Sequence, residues 1–390
     1  MISPRCVRPW LRCCTLVVLG ALTAGRAAAA EYLVADRATN RVLAFDAATG
    51  AFNRVVLAED AGLDEPTAMA FGPDGDLLVA SLQSNLILRV NPATGASSTY
   101  LSTGSVVPGG LAYNTATGDL LVSQFTTGPF PPDGQAVFRY DSGGTLVGAF
   151  AFEAGPSGRT GMAFDSAGDL YVSAFFADMS GNGLVMKIDP QNNYGFSSFF
   201  ASGAAVAQGG QGFNGLTFDA AGNLYVAALA GQSILKFEVD AGAVVGAGIL
   251  SAPIAYPSGV LVGDDGRLLA TSLGNNNPAD PIYGAFLFPG SIRRIDVETG
   301  ESLPFLKGDS NADTVVDGGD FLALQRSGSV AGIADWKVGF GMSGLAGDFQ
   351  PTAIVYYNPV AATAPVPEPA SIVLAAGLAL GGFMALRRFA

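Results

Sequence analysis

Oxygen-bearing side chains are spaced along residues 309–320 in a pattern that could wrap the chain around a calcium ion. They occupy positions 1, 3, 5, 9 and 12 of a twelve-residue loop, and the residue at position 7 would add its main-chain carbonyl. In that order the residues are Asp309, Asn311, Asp313, Asp317 and Asp320, with Val315 at position 7. The sequence therefore predicts one structural calcium site. The alternative is an acidic, solvated loop that binds nothing.

Residues 321–326 continue this loop as a short amphipathic helix, and loop and helix together resemble one half-repeat of the dockerin type I family. Two departures matter. Thr314 stands where that family usually has glycine, and the second half, around 334–341, has lost its acidic loop. The resemblance implies cohesin binding only where both halves are present. We therefore interpret residues 308–347 as a degenerate dockerin-like calcium insert.

Several kinds of catalytic and metal site are excluded by composition. The chain has no histidine, which removes the usual general base, the Ser-His-Asp arrangement and the commonest zinc ligand. All three cysteines, Cys6, Cys13 and Cys14, lie in the first 30 residues. The remaining chain therefore has no disulfide and no cysteine metal site.

Residues 1–30 are typical of a secretion signal peptide. Arg5, Arg8 and Arg12 form a basic start, residues 14–24 form an apolar core, and Ala28 and Ala30 are small residues suited to cleavage. Signal peptidase is therefore an expected processing partner. The alternatives are a buried helix and a membrane anchor, but the apolar core is too short to span a bilayer.

Residues 366–390 combine a short motif, an apolar run and a basic end. Pro367, Glu368 and Pro369 precede the apolar residues 371–386, and Arg387 and Arg388 follow them. This order resembles the PEP-CTERM sorting signal, which implies processing by an exosortase. A helix of this run reaches only about 24 Å, which suits a transient inner-membrane anchor; the alternative is a plain C-terminal membrane helix. The expected location is secreted, at the cell surface or in the extracellular matrix.

The balance of charge argues against nucleic acid as a partner. The chain has 33 acidic and 20 basic residues, a net charge of −13 at pH 7. The two end segments contain several of the arginines, so the part between them is more acidic still. Such a surface repels polyanions and attracts divalent cations.

One pattern recurs between the two end segments. A short strand such as 66–71 is followed by a glycine turn, an apolar strand such as 76–80, and a third strand ending in Asp or Asn. The turn glycines are roughly 43 to 54 residues apart, the length of a four-stranded propeller blade; they are Gly75, Gly118, Gly168, Gly222 and Gly266. The sequence therefore predicts an all-β, six-bladed β-propeller over residues 31–307.

The two ends of the repeat array are complementary. Residues 31–35 align with 76–80, so the array begins at the second strand of a blade, and residues 351–356 match the first strand at 66–71. We predict that residues 348–365 contain the ring-closing strand and a linker; the alternative is a linker alone. Over residues 31–305 the pattern resembles the six-bladed propellers of the NHL-repeat and gluconolactonase-like (senescence-marker-protein) families.

The gluconolactonase resemblance implies a divalent metal in the central channel, held by a Glu, two Asn-type ligands and an Asp near the starts of the inner strands. Alignment of the repeats identifies the corresponding residues as Thr67, Gly109, Thr160, Asn214, Ser258 and Thr352. Only Asn214 matches a ligand of that family. A ring of hydroxyl groups and one amide lacks the anionic oxygens that a dication needs, and no histidine is present to act as a base.

Long connections between second and third strands carry aromatic residues. These connections are residues 124–135, 175–182 and 273–290. The aromatic residues are Phe125, Phe130, Phe175, Phe176, Tyr283, Phe286 and Phe288. Exposed together, they would form a stacking surface for sugars or a protein interface; alternatively they pack within their own loops.

These observations favour a non-enzymatic propeller that acts as a binding or scaffold module in the cell envelope or extracellular matrix. The expected partners are an exopolysaccharide or another surface protein, and not nucleic acid. The alternative function is a metal-dependent lactonase or hydrolase of gluconolactonase type.

Overall fold

The computed structural model describes residues 29–72, 74–125, 136–151, 157–176, 182–190, 194–206, 210–251, 253–273, 290–307, 309, 315–327, 337 and 349–359. The predicted sorting signal and nearly all of the predicted signal peptide lie outside these residues. So do several of the named side chains: Asn311, Asp313, Phe130, Tyr283, Phe286 and Phe288.

In the described part of the chain, 24 strands form six antiparallel four-stranded sheets, the blades of a propeller. Blade 1 takes its second to fourth strands from the start of the chain: β1 (Glu31–Asp36), β2 (Arg41–Asp46) and β3 (Phe52–Leu57). Blade 2 comprises β4 (Pro66–Phe71), β5 (Leu77–Ser81), β6 (Leu86–Val90) and β7 (Ser97–Ser102). Blade 3 comprises β8 (Pro108–Asn114), β9 (Asp119–Gln124), β10 (Ala136–Tyr140) and β11 (Leu146–Ala151).

The second half of the ring repeats this order. Blade 4 comprises β12 (Ser157–Phe164), β13 (Leu170–Phe176), β14 (Leu184–Asp189) and β15 (Gly195–Ser202). Blade 5 comprises β16 (Phe213–Phe218), β17 (Leu224–Ala228), β18 (Ser233–Asp240) and β19 (Ala243–Ser251). Blade 6 comprises β20 (Pro257–Val262), β21 (Leu268–Ser272), β22 (Ser291–Ile295) and β23 (Ser302–Pro304). Helix α1 (Gly318–Ser327) and strand β24 (Pro351–Tyr357) follow.

The hydrophobic core lies between neighbouring blades. The second strands β1, β5, β17 and β21 are buried along their whole length because both of their faces pack against an adjoining blade. Leu33 of blade 1, for example, shares a buried cluster with Met69 and Leu88 of blade 2. Continuous apolar runs in the second strands therefore reflect burial on two sides.

The ring closes through the last strand. β24 pairs antiparallel with β1, with Tyr32 opposite Tyr356 and Val34 opposite Ile354, and takes the innermost place in blade 1. The prediction that residues 351–356 supply the missing first strand is confirmed. Closure removes the open sheet edge that β1 would otherwise present.

Two local predictions are settled by the element bounds. The helix expected at 321–326 is present as α1, which buries Leu324 and leaves Leu322 exposed. Placing Phe175 and Phe176 in a loop was wrong, because β13 continues to Phe176. Pairing of Ser157 with Phe176 and of Arg159 with Ala174 extends this hairpin beyond the repeat pattern.

Candidate functional site

Each predicted channel residue lies at an irregularity of an inner strand. The pairing register shifts between Pro66 and Ala68, and equivalent shifts occur in the other five blades. The channel residue stands at each shift: Thr67, Gly109, Thr160, Asn214, Ser258 and Thr352. A β-bulge leaves its extra residue outside the ladder and redirects its side chain.

The hydroxyl groups of this ring join neighbouring blades. Thr67 Oγ1 donates to the Pro108 carbonyl of blade 3 (3.0 Å), and Thr352 Oγ1 donates to the Pro66 carbonyl of blade 2 (2.7 Å). Ser258 Oγ donates to the Pro351 carbonyl of blade 1 (3.0 Å). These hydroxyls are therefore used in bonds to main-chain carbonyls, and the donor set does not fit the dication that the gluconolactonase resemblance implies.

Two glycines next to the ring set how closely the blades approach. A Cβ on Gly161 would lie 2.3 Å from the Asn214 carbonyl oxygen, and a Cβ on Gly215 would lie 2.5 Å from that of Ser258. Both obstacles are main-chain atoms of the next blade. Glycine is required here by the spacing between blades rather than by backbone conformation.

A second ring of hydrogen bonds surrounds one entrance of the channel. The residue after each second strand donates its N–H to the carbonyl of the residue before the inner strand of the same blade. In the described residues these pairs are Arg37–Gln350 (2.9 Å), Leu82–Glu65 (3.1 Å), Phe125–Val107 (2.8 Å), Leu229–Gly212 (2.7 Å) and Leu273–Tyr256 (3.0 Å). This recurring bond places the two residue positions side by side in each of these blades.

Blades 1 and 2 depart from the apolar pattern at these positions. Arg37 stands where the other pairs have leucine or phenylalanine, and Glu65 is the one charged residue among its equivalents in these pairs, which are Gln350, Val107, Gly212 and Tyr256. Arg37 Nη2 lies 2.8 Å from Glu65 Oε2, and Gln83 Nε2 donates to the same oxygen at 3.2 Å. We name Arg37, Glu65 and Gln83 the mouth cluster.

The mouth cluster is fixed in place and accessible. Glu65 adopts a left-handed conformation (φ 54°), and its N–H donates to Asn40 Oδ1 at 2.9 Å. The Arg37 and Glu65 side chains are 39% and 28% exposed. A left-handed conformation costs a glutamate energy that glycine at the same position would avoid. The choice of glutamate is therefore not explained by the backbone.

The mouth cluster was not predicted from the sequence. The predicted channel residues lie at the bulges of the inner strands, and Thr67, for example, lies two positions after Glu65. The available signal was the repeat itself, since Arg37 aligns with Leu82, Leu229 and Leu273. A charged residue at a repeat position that otherwise has leucine could have indicated a site at Arg37.

The structure describes part of the predicted calcium loop. Asp309 and Asp320 are buried (4% and 0% exposed), while Val315 and Asp317 are exposed. Asp320 Oδ2 accepts a hydrogen bond from the Asp317 N–H at 2.8 Å, which caps the start of α1. Within the described ranges, no three Asp, Glu, His or Cys side chains come close enough to hold a metal ion. Calcium binding stays a prediction.

The two predicted aromatic residues whose side chains are described lie beside the channel entrance. Phe125 and Phe175 are both half-buried. A Cβ on Gly212 would lie 2.9 Å from Phe175 Cζ, so this ring packs over the start of blade 5.

Among the described helices, none is long and apolar enough to cross a membrane.

No protein-family model and no curated protein sequence matches the chain. Solved structures do resemble it. A chain of a nidogen/laminin complex is similar with a TM-score of 0.53 and 15% identity, over 70% of this chain and 92% of that one. A streptogramin B lyase gives 0.49 and 14% over 70% and 78%, and virginiamycin B lyase from Staphylococcus aureus gives 0.42 and 14% over 61% and 68%. At these identities the likeness concerns the fold alone.

Proposed function

We propose that this chain is an exported, surface-sorted binding module whose mouth cluster holds a neutral, hydroxyl-rich ligand of the exopolysaccharide class. Export is supported by the signal-like residues 1–30 and by the PEP-CTERM-like residues 366–390, which signal peptidase and an exosortase would process. The processed protein would act at the cell surface or in the extracellular matrix.

The observation that carries the proposal is the shared departure of two neighbouring blades from the repeat. Arg37 and Glu65 come from different blades, replace residue types that the fold tolerates elsewhere, and meet at 2.8 Å. Charged side chains at positions that are uncharged in the other described pairs are features that binding sites have and folding does not require.

The chemistry of the cluster suits hydroxyl groups. Arginine offers fixed donors, glutamate offers acceptors and glutamine offers both, while a sugar hydroxyl donates and accepts at once. Arg37 and Glu65 neutralise each other, so the cluster has no net charge to attract an ion. The acidity of the whole chain also disfavours polyanions.

The surrounding residues supply apolar contact. Leu82 and Phe125 follow second strands in the next two blades and are half-buried. Apolar surface beside a few directed polar groups is the usual composition of a small-ligand site. A sugar ring, with C–H groups on its faces and hydroxyls at its rim, matches both.

The inner ring supports binding rather than metal-dependent hydrolysis. The hydroxyls of Thr67, Ser258 and Thr352 hold adjacent blades together, which gives them a structural role. Asn214 is the one ring residue that matches the gluconolactonase pattern. We propose that the ring positions the blades and that the entrance binds the ligand.

The test is affinity electrophoresis of the full chain in gels containing a neutral or an anionic polysaccharide. We expect the neutral polymer alone to retard the protein. In Arg37→Leu, the affinity derived from the retardation should fall about tenfold or more, because hydrogen bonds to charged groups are lost. The matched control is Arg41→Leu, which removes the exposed arginine that lies 3.5 Å from Glu59. Equal retardation of both variants, retardation by the anionic polymer alone, or turnover of a sugar lactone would contradict the proposal.

A further inference from the structure

The side of the propeller that carries the mouth cluster also carries most of the described glutamines. Turns between second and third strands, and connections from an outer strand to the next inner strand, lie on this side, which we call the mouth side. Gln325 is in α1. The other described glutamines are in or beside the mouth-side segments, and they are Gln83, Gln124, Gln211, Gln232 and Gln350.

Turn formation does not explain this distribution. On the opposite side of the propeller, Asn91 Oδ1 accepts a hydrogen bond from the Thr94 N–H at 3.0 Å, and Asp219 Oδ1 accepts one from the Ala221 N–H at 2.9 Å. Asparagine and aspartate suit such bonds because their polar atoms lie close to the main chain. Glutamine is longer by one carbon and does not favour these turns. Its amide can instead both donate and accept at the surface.

Charged residues are distributed in the opposite way. In blades 3 to 6, the turns on the far side from the mouth carry carboxylates, for example those of Asp141, Asp165, Asp219 and Asp264. On the mouth side, none of the described connecting residues between 103 and 290 is charged. A neutral surface that bears amides therefore extends from the mouth cluster around the channel entrance.

Main-chain hydrogen bonds bring three polar or aromatic residues of this surface together at blade 5. The Gly231 N–H donates to the Gln211 carbonyl at 3.0 Å, and the Ile254 N–H donates to the Gln232 carbonyl at 2.9 Å. Tyr256 follows two residues after Ile254. Gln232 is exposed, while Gln211 and Tyr256 are half-buried. We name Gln211, Gln232 and Tyr256 the far cluster.

The far cluster and the mouth cluster lie on opposite sides of the channel entrance. The blades follow one another around the ring in chain order. In a ring of six, blade 5 is therefore directly across from blade 2, which carries Glu65 and Gln83. A ligand that reaches both clusters must cross the entrance.

The main-chain conformation does not explain two residues of the far cluster. Gln232 has a φ of 51° where the residues that precede the third strand in blades 1 and 2 are Asn40 and Asn85, with φ of 52° and 53°. Asparagine is favoured in this left-handed conformation and glutamine is not. Tyr256 has a φ of 46° at the position where blade 5 has Gly212. An exposed amide and an aromatic ring thus stand where the backbone favours asparagine and glycine.

We propose that the ligand of the mouth cluster is an extended glycan chain, which crosses the channel entrance and is also held by the far cluster. The amides of Gln211 and Gln232 bond to sugar hydroxyls, and the Tyr256 ring offers an apolar face to the C–H groups of a sugar. This inference rests on the proposed function and adds a second subsite to it. Two subsites on one chain raise the affinity, because the second contact forms at a high effective concentration.

Isothermal titration calorimetry of the full chain tests the second subsite. The ligands are the neutral polysaccharide that retards the protein in the gels and the disaccharide obtained from it by hydrolysis. We expect the polymer to bind about tenfold or more tightly than the disaccharide. Arg37→Leu should weaken the binding of both ligands.

Gln232→Gly should lower the ratio of the two affinities about threefold to tenfold, because hydrogen bonds to the far end of the polymer are lost. Glycine accepts the φ of 51° at this position, so the turn is kept. The matched control is Gln325→Ala on α1, which should leave both affinities as they are in the unaltered chain.

Two outcomes would overturn the second subsite and leave the proposed function intact. One is equal affinity for the polymer and the disaccharide, and the other is a Gln232→Gly variant that keeps the ratio seen in Gln325→Ala. Binding of neither ligand, or binding that Arg37→Leu does not weaken, would instead contradict the proposed function itself.

Discussion

At the scale of single residues, the turns between third and fourth strands show how side chains set local stability. Asp296 Oδ1 accepts hydrogen bonds from the Thr299 N–H at 2.8 Å and from Thr299 Oγ1 at 3.0 Å. Asp46 makes the same pair of bonds with Thr49, and Asn91 makes it with Thr94. The hydrogen bonds from Thr299 hold the pKa of Asp296 below its ordinary value.

This lowered pKa predicts a dependence of stability on pH. The unfolded carboxyl group has a pKa of about 3.9. Asp296 therefore contributes its stabilisation above that pH and loses it as the pH falls through the lower, folded value. Asp296→Asn keeps the acceptor, as Asn91 does, and removes the titration.

We expect the loss of unfolding free energy between about pH 5 and pH 3 to be smaller in Asp296→Asn than in the unaltered chain. Denaturant unfolding at both pH values measures it. Asp60→Asn, an exposed residue in a short 3₁₀ turn, makes the same charge change elsewhere. If both variants keep the full loss, the Thr299 bonds do not link Asp296 to stability.

Residue-level chemistry was the part least predictable from sequence. The repeat aligned Thr67, Ser258 and Thr352, which the structure places at equivalent bulges, but it did not show that each would bond to a carbonyl of the next blade. Such a bond depends on the distance between two blades, which no segment of a single repeat contains. The pairing of Arg37 with Glu65 was missed for the same reason.

At the scale of elements, inner strands pack against one another through glycine. Gly215→Ala would put a Cβ 2.5 Å from the Ser258 carbonyl oxygen and 2.9 Å from Gly259 Cα. Neither main-chain atom can rotate away, so β16 and β20 must move apart. We expect destabilisation of about 1–3 kcal/mol, measured by denaturant unfolding.

The control is Gly148→Ala on outer strand β11, where the nearest neighbour of an added Cβ would be Phe150 Cζ at 3.8 Å. This change should alter stability by no more than about 0.5 kcal/mol. Equal losses in the two variants would mean that glycine is needed for strand conformation rather than for the spacing between blades.

Element order was well predicted because strand patterns are local. Glycine turns recur in each repeat because the turn needs a positive φ, for example 76° at Gly75. Apolar second strands recur because they are buried between two blades. Strand ends were less predictable. β13 runs on to Phe176 because a neighbouring strand, β12, begins early enough to pair with it.

At the scale of the whole molecule, the segment between β23 and β24 connects blade 6 to the strand that closes the ring. It contains the predicted calcium loop, and both Asp309 and Asp320 are buried. Ordering this segment reduces the entropy lost when β24 returns to β1. We therefore expect calcium to stabilise the whole propeller and not the loop alone.

Thermal unfolding with and without Ca²⁺ measures this coupling. Calcium at a hundredfold excess over its dissociation constant should stabilise the fold by about 2.7 kcal/mol. Asp313→Ala should abolish the effect, and Asp60→Ala should leave it intact. A calcium response that survives in Asp313→Ala would mean that the ion binds elsewhere.

Ring closure was predictable from sequence because the first repeat lacks a strand and residues 351–356 match the missing one. Which side chains of each blade lie at the channel entrance was not predictable, because this depends on how the six blades pack together.

Ring closure also fixes where the first and last strands of the propeller end. Glu31 and Tyr357 are paired neighbours at one end of blade 1, while Arg37 and Gln350 lie at the opposite end of the same two strands. The described residues 29–30 and 358–359 therefore lie on the side of blade 1 away from the mouth cluster. An attachment at Glu31 or at Tyr357 would therefore leave the mouth cluster, at the opposite end of the same strands, open to other molecules.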